Sequence, residues 1–276
     1  MIYHSTITLK SCPIRVIEKP GDGPAIFFIH GNSMSSQIWA EQLKDGIFDN
    51  FRLIAIDLPG HGKSAKSDKP HRDYNLPGYG KLLLKVLDNL KLDDYIIVGF
   101  SLGGNIALEV LAKLKVCRGI FLSGTVLFES AKHIPSALMP HPAVSYIFKA
   151  DTTREQAAEA VELFFNLGTT TDRKLYIDNF TNTDPNCRSF LAKSIEEGKL
   201  SNNIEKIQKA TIPIAYTTGA KDQYLDLAYL NSHSSFFWEG IKFLENSGHV
   251  PQTENPSQFN EYLLKFIQFC YAESVS

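Results

Sequence analysis

Six short apolar runs recur along this chain, at 25–29 (AIFFI), 53–56 (LIAI), 95–98 (YIIV), 119–122 (GIFL), 212–217 (IPIAYT) and 241–244 (IKFL). They are continuous rather than alternating, which suits strands covered on both faces, the condition inside a parallel sheet flanked by helices. Two further strands, 5–10 and 14–18, form a hairpin around Cys12-Pro13 ahead of them. Helical patterns fill the gaps. Ser35 or Ser36 can cap a helix through Ile47, and 82–90 supplies another apolar face. The last helix has Asn255 as N-cap and Pro256 in its first turn, and puts Phe259, Tyr262, Leu263, Phe266, Ile267 and Cys270 on one stripe. Strand and helix stop alternating between about Thr125 and Ala210, where 153–168 and a segment opened by Asp184-Pro185 and stopped near Gly198 read as helices. The fold class is therefore α/β: a mostly parallel eight-stranded sheet flanked by helices, with a helical cap inserted after the sixth strand. The predicted division is a core of 1–124 and 211–276 and a cap of 125–210.

Composition narrows the partners. The net charge is −2 over 276 residues, with acids and bases mixed along the chain. Neither a basic block for nucleic acid nor a polybasic stretch for an anionic membrane is present. Cys12, Cys117, Cys187 and Cys270 are scattered, without a C-x-x-C pair, and read as reduced structural thiols. The first twelve residues lack the apolar core of a signal peptide. The expectation is a soluble, cytoplasmic protein without stable membrane insertion, acting on a small molecule.

The chemistry concentrates at 95–104, Tyr-Ile-Ile-Val-Gly-Phe-Ser-Leu-Gly-Gly. This is a buried strand, then G-x-S-x-G, then a helix from Leu102 to about Lys115. A serine on a sharp strand-to-helix turn presents its hydroxyl above the sheet, and the helix N-terminus directs N–H groups at developing negative charge. Small residues at Gly99 and Gly103 permit the close approach. A bare pentapeptide could be coincidence, or Ser101 a helix cap. The strand before it and the helix after it favour the nucleophile. In this arrangement the partners follow in the order serine, acid, histidine. His249 lies just past 241–244 and is the candidate general base. Asp222 lies just past 212–217 and is the candidate acid, with Asp226 and Glu129 as competitors. His30 reads as a loop-holding residue. The strand 25–29 runs into His30-Gly31-Asn32, so the candidate oxyanion hole is the backbone N–H of Asn32 with that of Leu102; the Asn32 side chain is a lesser candidate for facing the substrate. The segment Asp57 to Ser64 lacks the G-x-x-x-x-G-K-[ST] spacing of a phosphate loop and reads as a structural turn.

Taken together, His30-Gly31-Asn32, Asp57 to Ser64, Gly99 to Gly104, Gly219 to Asp222 and Gly248-His249 resemble the α/β-hydrolase superfamily. With Phe237-Trp238-Glu239-Gly240 and Asn246-Ser247-Gly248-His249, the chain looks like the metal-independent N-acyl-homoserine lactonases of that fold. The resemblance implies lactone opening by serine attack. In the lactonase pattern an Asp-Glu pair stands where this chain has Asp222-Gln223, and the glutamate is assigned as the acid; here only Asp222 remains. Neither H-x-H-x-D-H nor H-E-x-x-H occurs, so no metal or other cofactor is implied. Ser101 at the elbow argues against the dehalogenases and epoxide hydrolases that carry aspartate there. An ester or lactone hydrolase leads; a carbon–carbon bond hydrolase, and a non-enzymatic small-ligand receptor on the same fold, are the alternatives.

Overall fold

The computed structural model describes residues 1–10 and 12–272. The eight strands are β1 Tyr3–Leu9, β2 Cys12–Lys19, β3 Ala25–Ile29, β4 Arg52–Ile56, β5 Tyr95–Phe100, β6 Cys117–Ser123, β7 Ile214–Gly219 and β8 Ile241–Leu244. They form one sheet in the order β1-β2-β4-β3-β5-β6-β7-β8. β2 pairs antiparallel with both β1 and β4, and every pairing from β4 through β8 is parallel. Every residue of β3 and of β5 is buried, as their unbroken apolar sequences require. β1, at the edge, buries only Ile7 fully.

Register aligns the strand ends. Ile29 pairs with Gly99, Gly99 with Leu122, Ser123 with Thr217, and Gly219 with Leu244. The loops after β3, β5, β7 and β8 therefore leave from one edge of the sheet, which is where ligands bind in open parallel sheets.

Boundaries differ from the sequence reading for local reasons. The stretch from Ser36 to Phe48 is no single helix. It breaks into a 3-10 turn Ser36–Trp39, a helix Ala40–Lys44 and a second 3-10 turn Gly46–Phe48, with Ser35 capping the first and Asp45, in extended backbone, capping the last. The helix read at 82–90 spans Leu76–Leu90, capped by Asn75 with Pro77 in its first turn; Gly78 and Gly80 obscure that start in the sequence. The helix after Ser101 ends at Glu109 and continues only as a 3-10 turn, Leu111–Lys113. The final helix, Pro256–Ala272, buries the stripe expected of it. Its Phe259 and Phe266 rings pack on Phe121 of β6, at centroid distances of 5.4 and 5.9 Å.

Between β6 and β7 lie the helices Arg154–Glu162, Lys174–Asn182, Pro185–Glu196 and Asn203–Gln208. Arg154–Glu162 starts at a capping box made by Thr153 and Gln156. Pro185–Glu196 starts at Asp184, which also receives the Tyr74 hydroxyl at 3.1 Å and donates its own N–H to Gly60 O at 2.8 Å. Arg188, buried in the same helix, donates to the carbonyls of Lys149 (2.8 Å), Phe180 (3.1 Å) and Ala150 (3.3 Å) and to Ser33 Oγ (3.4 Å). One guanidinium thereby joins three parts of the inserted segment to the loop after β3. Among the described residues, no helix is long and apolar enough to cross a membrane.

Candidate active site

Ser101 sits at the end of β5 with φ 49° and ψ −115°, a backbone conformation that costs a non-glycine residue on the order of 1–3 kcal/mol. Hydrogen bonds on both sides hold it there. Its N–H donates to Ser123 O at 2.8 Å, and its carbonyl accepts from Gly104 and Asn105 N–H at 3.0 and 3.2 Å. The glycines act at different places. A Cβ on Gly99 would meet Gly104 Cα at 2.6 Å, between the strand and its own helix. A Cβ on Gly103 would meet Ile29 O at 2.3 Å, so Gly103 clears the neighbouring strand β3.

His249, 1% exposed, makes a 2.8 Å hydrogen bond from Nδ1 to Asp222 Oδ2. Asp222 also accepts from Thr218 Oγ1 (2.7 Å) on Oδ2, and from the N–H groups of Tyr224 (2.8 Å) and Leu225 (3.0 Å) on Oδ1. Four donors on two oxygens suit the acceptor-only carboxylate. The proton of the neutral imidazole therefore belongs on Nδ1, leaving Nε2 as the nitrogen available to Ser101. The rings of Tyr224, Phe100 and Phe164 pack around the imidazole at 4.8, 5.1 and 5.5 Å between centroids.

The competing acids lie elsewhere. Asp226 accepts from Tyr229 N–H at 2.8 Å as the cap of the helix Leu227–Asn231, and Glu129 is exposed. Gln223 donates from Nε2 to Phe165 O at 2.7 Å, tying the acid loop to the inserted segment.

Asn32 and Leu102 line one cavity with Ser101 and His249. Neither backbone N–H has a protein acceptor among the described residues. The Asn32 side chain lines the cavity too, but its Nδ2 donates to Ile147 O at 3.0 Å, so it is anchored to the inserted segment. His30 behaves as a loop-holder. Its Nε2 accepts from Leu58 N–H (2.9 Å), which leaves the proton on Nδ1 to be donated to Gly31 O (2.7 Å). Burial lowers its pKa from the usual 6.5 to about 4. The turn after β4 closes on Asp57, whose two oxygens accept from Ser36 and Lys63 N–H, each at 2.7 Å.

The rest of the cavity is apolar. Val126, Phe128, Ile134, Ile147, Leu191 and Ile195 contribute, all of them from the inserted segment. Tyr224 and Asn105 also line it and were not among the residues singled out from the sequence. A signal for Asn105 was present, since it lies four residues past Ser101 at the start of a helix. Nothing in the sequence pointed to Tyr224. Among the described residues, no three His, Cys, Asp or Glu side chains gather to hold a metal ion.

Comparison with known proteins agrees with this fold. The model of the alpha/beta hydrolase fold family matches residues 24–256. A mutant of the N-acyl homoserine lactonase AidH, solved with N-hexanoyl homoserine, superposes with a TM-score of 0.89 at 27% identity, covering 98% of both chains. The esterase EaEST from Exiguobacterium antarcticum shares the fold, with a TM-score of 0.76 at 19% identity over 93% of this chain and 96% of that one. In sequence, the uncharacterized carboxylesterase nap of Bacillus subtilis (strain 168) is 24% identical over 267 residues, 90% of this chain and 80% of that protein. The chain belongs to the α/β-hydrolase fold family and is a hydrolase.

Proposed function

We propose that this hydrolase cleaves a carboxylic ester or lactone through an acyl-enzyme on Ser101, with His249 as general base, Asp222 as the acid behind it, and the N–H groups of Asn32 and Leu102 as the oxyanion hole. The observation that carries the reading is the buried Asp222–His249 hydrogen bond of 2.8 Å, in a cavity that Ser101, Asn32 and Leu102 also line. His249 Nε2 takes the hydroxyl proton as Oγ bonds to the carbonyl carbon. The oxyanion is held by the two N–H groups until the carbon–oxygen bond breaks and the proton passes to the leaving oxygen. In a lactone that oxygen stays attached to the acyl group as a hydroxyl. Water, deprotonated by the same His249, then frees Ser101 and leaves a hydroxy acid.

An N-acyl homoserine lactone is the leading substrate. The likeness to a structure carrying N-hexanoyl homoserine supports this, as does an apolar cavity wall fit for an acyl chain. Residues 125–210 act as the cap over a core of 1–124 and 211–276. A cytoplasmic site of action fits four free, buried cysteines.

The test is labelling with a fluorophosphonate and peptide mapping, together with ring opening of N-hexanoyl homoserine lactone followed by acid release. Adduct on Ser101, absent in Ser101→Ala, and a fall of about 10⁶-fold in turnover are expected. Adduct elsewhere, or lactone opening no faster than in buffer, overturns respectively the nucleophile and the lactone.

A further inference from the structure

Five side chains bring polar atoms to the cavity: Asn32, Ser101, Asn105, Tyr224 and His249. Ser101 and His249 carry the proposed chemistry. Asn32 uses both ends of its amide, donating from Nδ2 to Ile147 O and accepting from Ser33 Oγ on Oδ1 (3.3 Å). Asn105 differs. It is only 8% exposed, and its Nδ2 donates to Val126 O at 2.8 Å. A carbonyl accepts and cannot donate, so this bond fixes which way the amide is turned. Oδ1 is left to the cavity, with no donor among the described residues. An acceptor without a protein donor, at a cavity whose wall is otherwise apolar, is one that a ligand N–H can pair with.

Its position is set by the helix Leu102–Glu109. Asn105 follows the N-cap Ser101 by four residues, in the first turn of that helix, and both side chains line the same cavity. An acylamino group beside the scissile carbonyl meets both demands of the site, its N–H satisfying Oδ1 and its hydrocarbon tail covering the wall of Ile134, Phe128 and Leu191.

Resting on the proposed Ser101 chemistry and N-acyl lactone substrate, we propose that Asn105 is a specificity-determining residue whose Oδ1 accepts a hydrogen bond from the N–H of the acylamino group beside the scissile carbonyl. The experiment compares kcat/KM for N-hexanoyl homoserine lactone with that for the analogue carrying CH₂ in place of the amide N–H, in the native protein and in Asn105→Leu. The native protein should favour the N–H substrate by about 10- to 100-fold. In Asn105→Leu the ratio should fall to within about threefold of one. Val126 O keeps a donor in the variant, because Asn203 Nδ2 also reaches it, at 2.9 Å. If the variant does not fold, the native ratio alone decides. A native ratio near one, or a ratio preserved in Asn105→Leu, overturns the proposal. Turnover of p-nitrophenyl butyrate with neither lactone opened also overturns it, and leaves Ser101 as nucleophile. No turnover of any of the three, with Ser101 unlabelled, sinks the Ser101 chemistry as well.

Discussion

Asp222 is held by Thr218 Oγ1 and by the Tyr224 and Leu225 N–H groups as well as by His249, so its position does not depend on the histidine alone. That separates chemistry from folding in one substitution. Asp222→Asn turns an amide nitrogen or a single oxygen toward Nδ1 and disturbs the tautomer His249 needs. Turnover of p-nitrophenyl butyrate should drop by about 10⁴-fold while the protein still folds. The neighbour tests the departure from the lactonase pattern. Gln223 donates to Phe165 O, and Gln223→Glu would set a carboxylate oxygen against that carbonyl. The expected result is a stability loss of about 1–3 kcal/mol by urea unfolding, without a gain in kcat. At this scale the sequence was uneven. Ser101 and His249 could be read from their motifs. Asp222 led as the acid but Asp226 and Glu129 stayed open as competitors, because position after a strand does not say which carboxylate turns inward. Asn105 went unread because a buried amide gains meaning only from which of its two ends is occupied.

The elbow helix and the strands it passes explain why element boundaries were harder to read than element identities. Six strands were legible from apolar runs and two from a hairpin pattern, yet β5 and β7 run two residues further than their hydrophobic cores suggest, into Gly99-Phe100 and Thr218-Gly219. Those extensions are the parts that deliver Ser101 and Asp222 to the sheet edge, and tertiary pairing makes them. The close passage of Gly103 by Ile29 O yields a prediction for the whole element. Gly103→Ala should part the helix from β3, cost about 1–3 kcal/mol in urea, and displace the Leu102 N–H enough to slow fluorophosphonate labelling. Arg188 makes the corresponding case in the inserted helices. Arg188→Met removes the only donors this residue gives to three carbonyls, and should lower Tm and raise KM more than it changes kcat.

For the whole molecule, the alternation of strand and helix sufficed to read the sheet, since a parallel sheet writes its burial directly into sequence. The inserted segment showed its helices but not the surface it gives the cavity, because Ile134, Ile147, Leu191 and Ile195 become neighbours only by tertiary packing. Acid sensitivity is also a property of the assembled core. Burial lowers the pKa of His30 to about 4 and that of His61 to about 3, against 6.5 in the unfolded chain. Below 6.5 the unfolded chain takes up protons that the folded one refuses, so stability is full above that pH and declines as pH falls toward 4. Tm should therefore fall between pH 7 and pH 5, and by less in His61→Phe. The bond from Asn32 Nδ2 to Ile147 O has a consequence in time. Any swing of the turn Pro142–Phe148 away from the sheet must first break it, and so slackens the residue whose N–H is proposed to meet the oxyanion. Admission of a new molecule and readiness to react with it would then exclude each other, like the two positions of a turnstile.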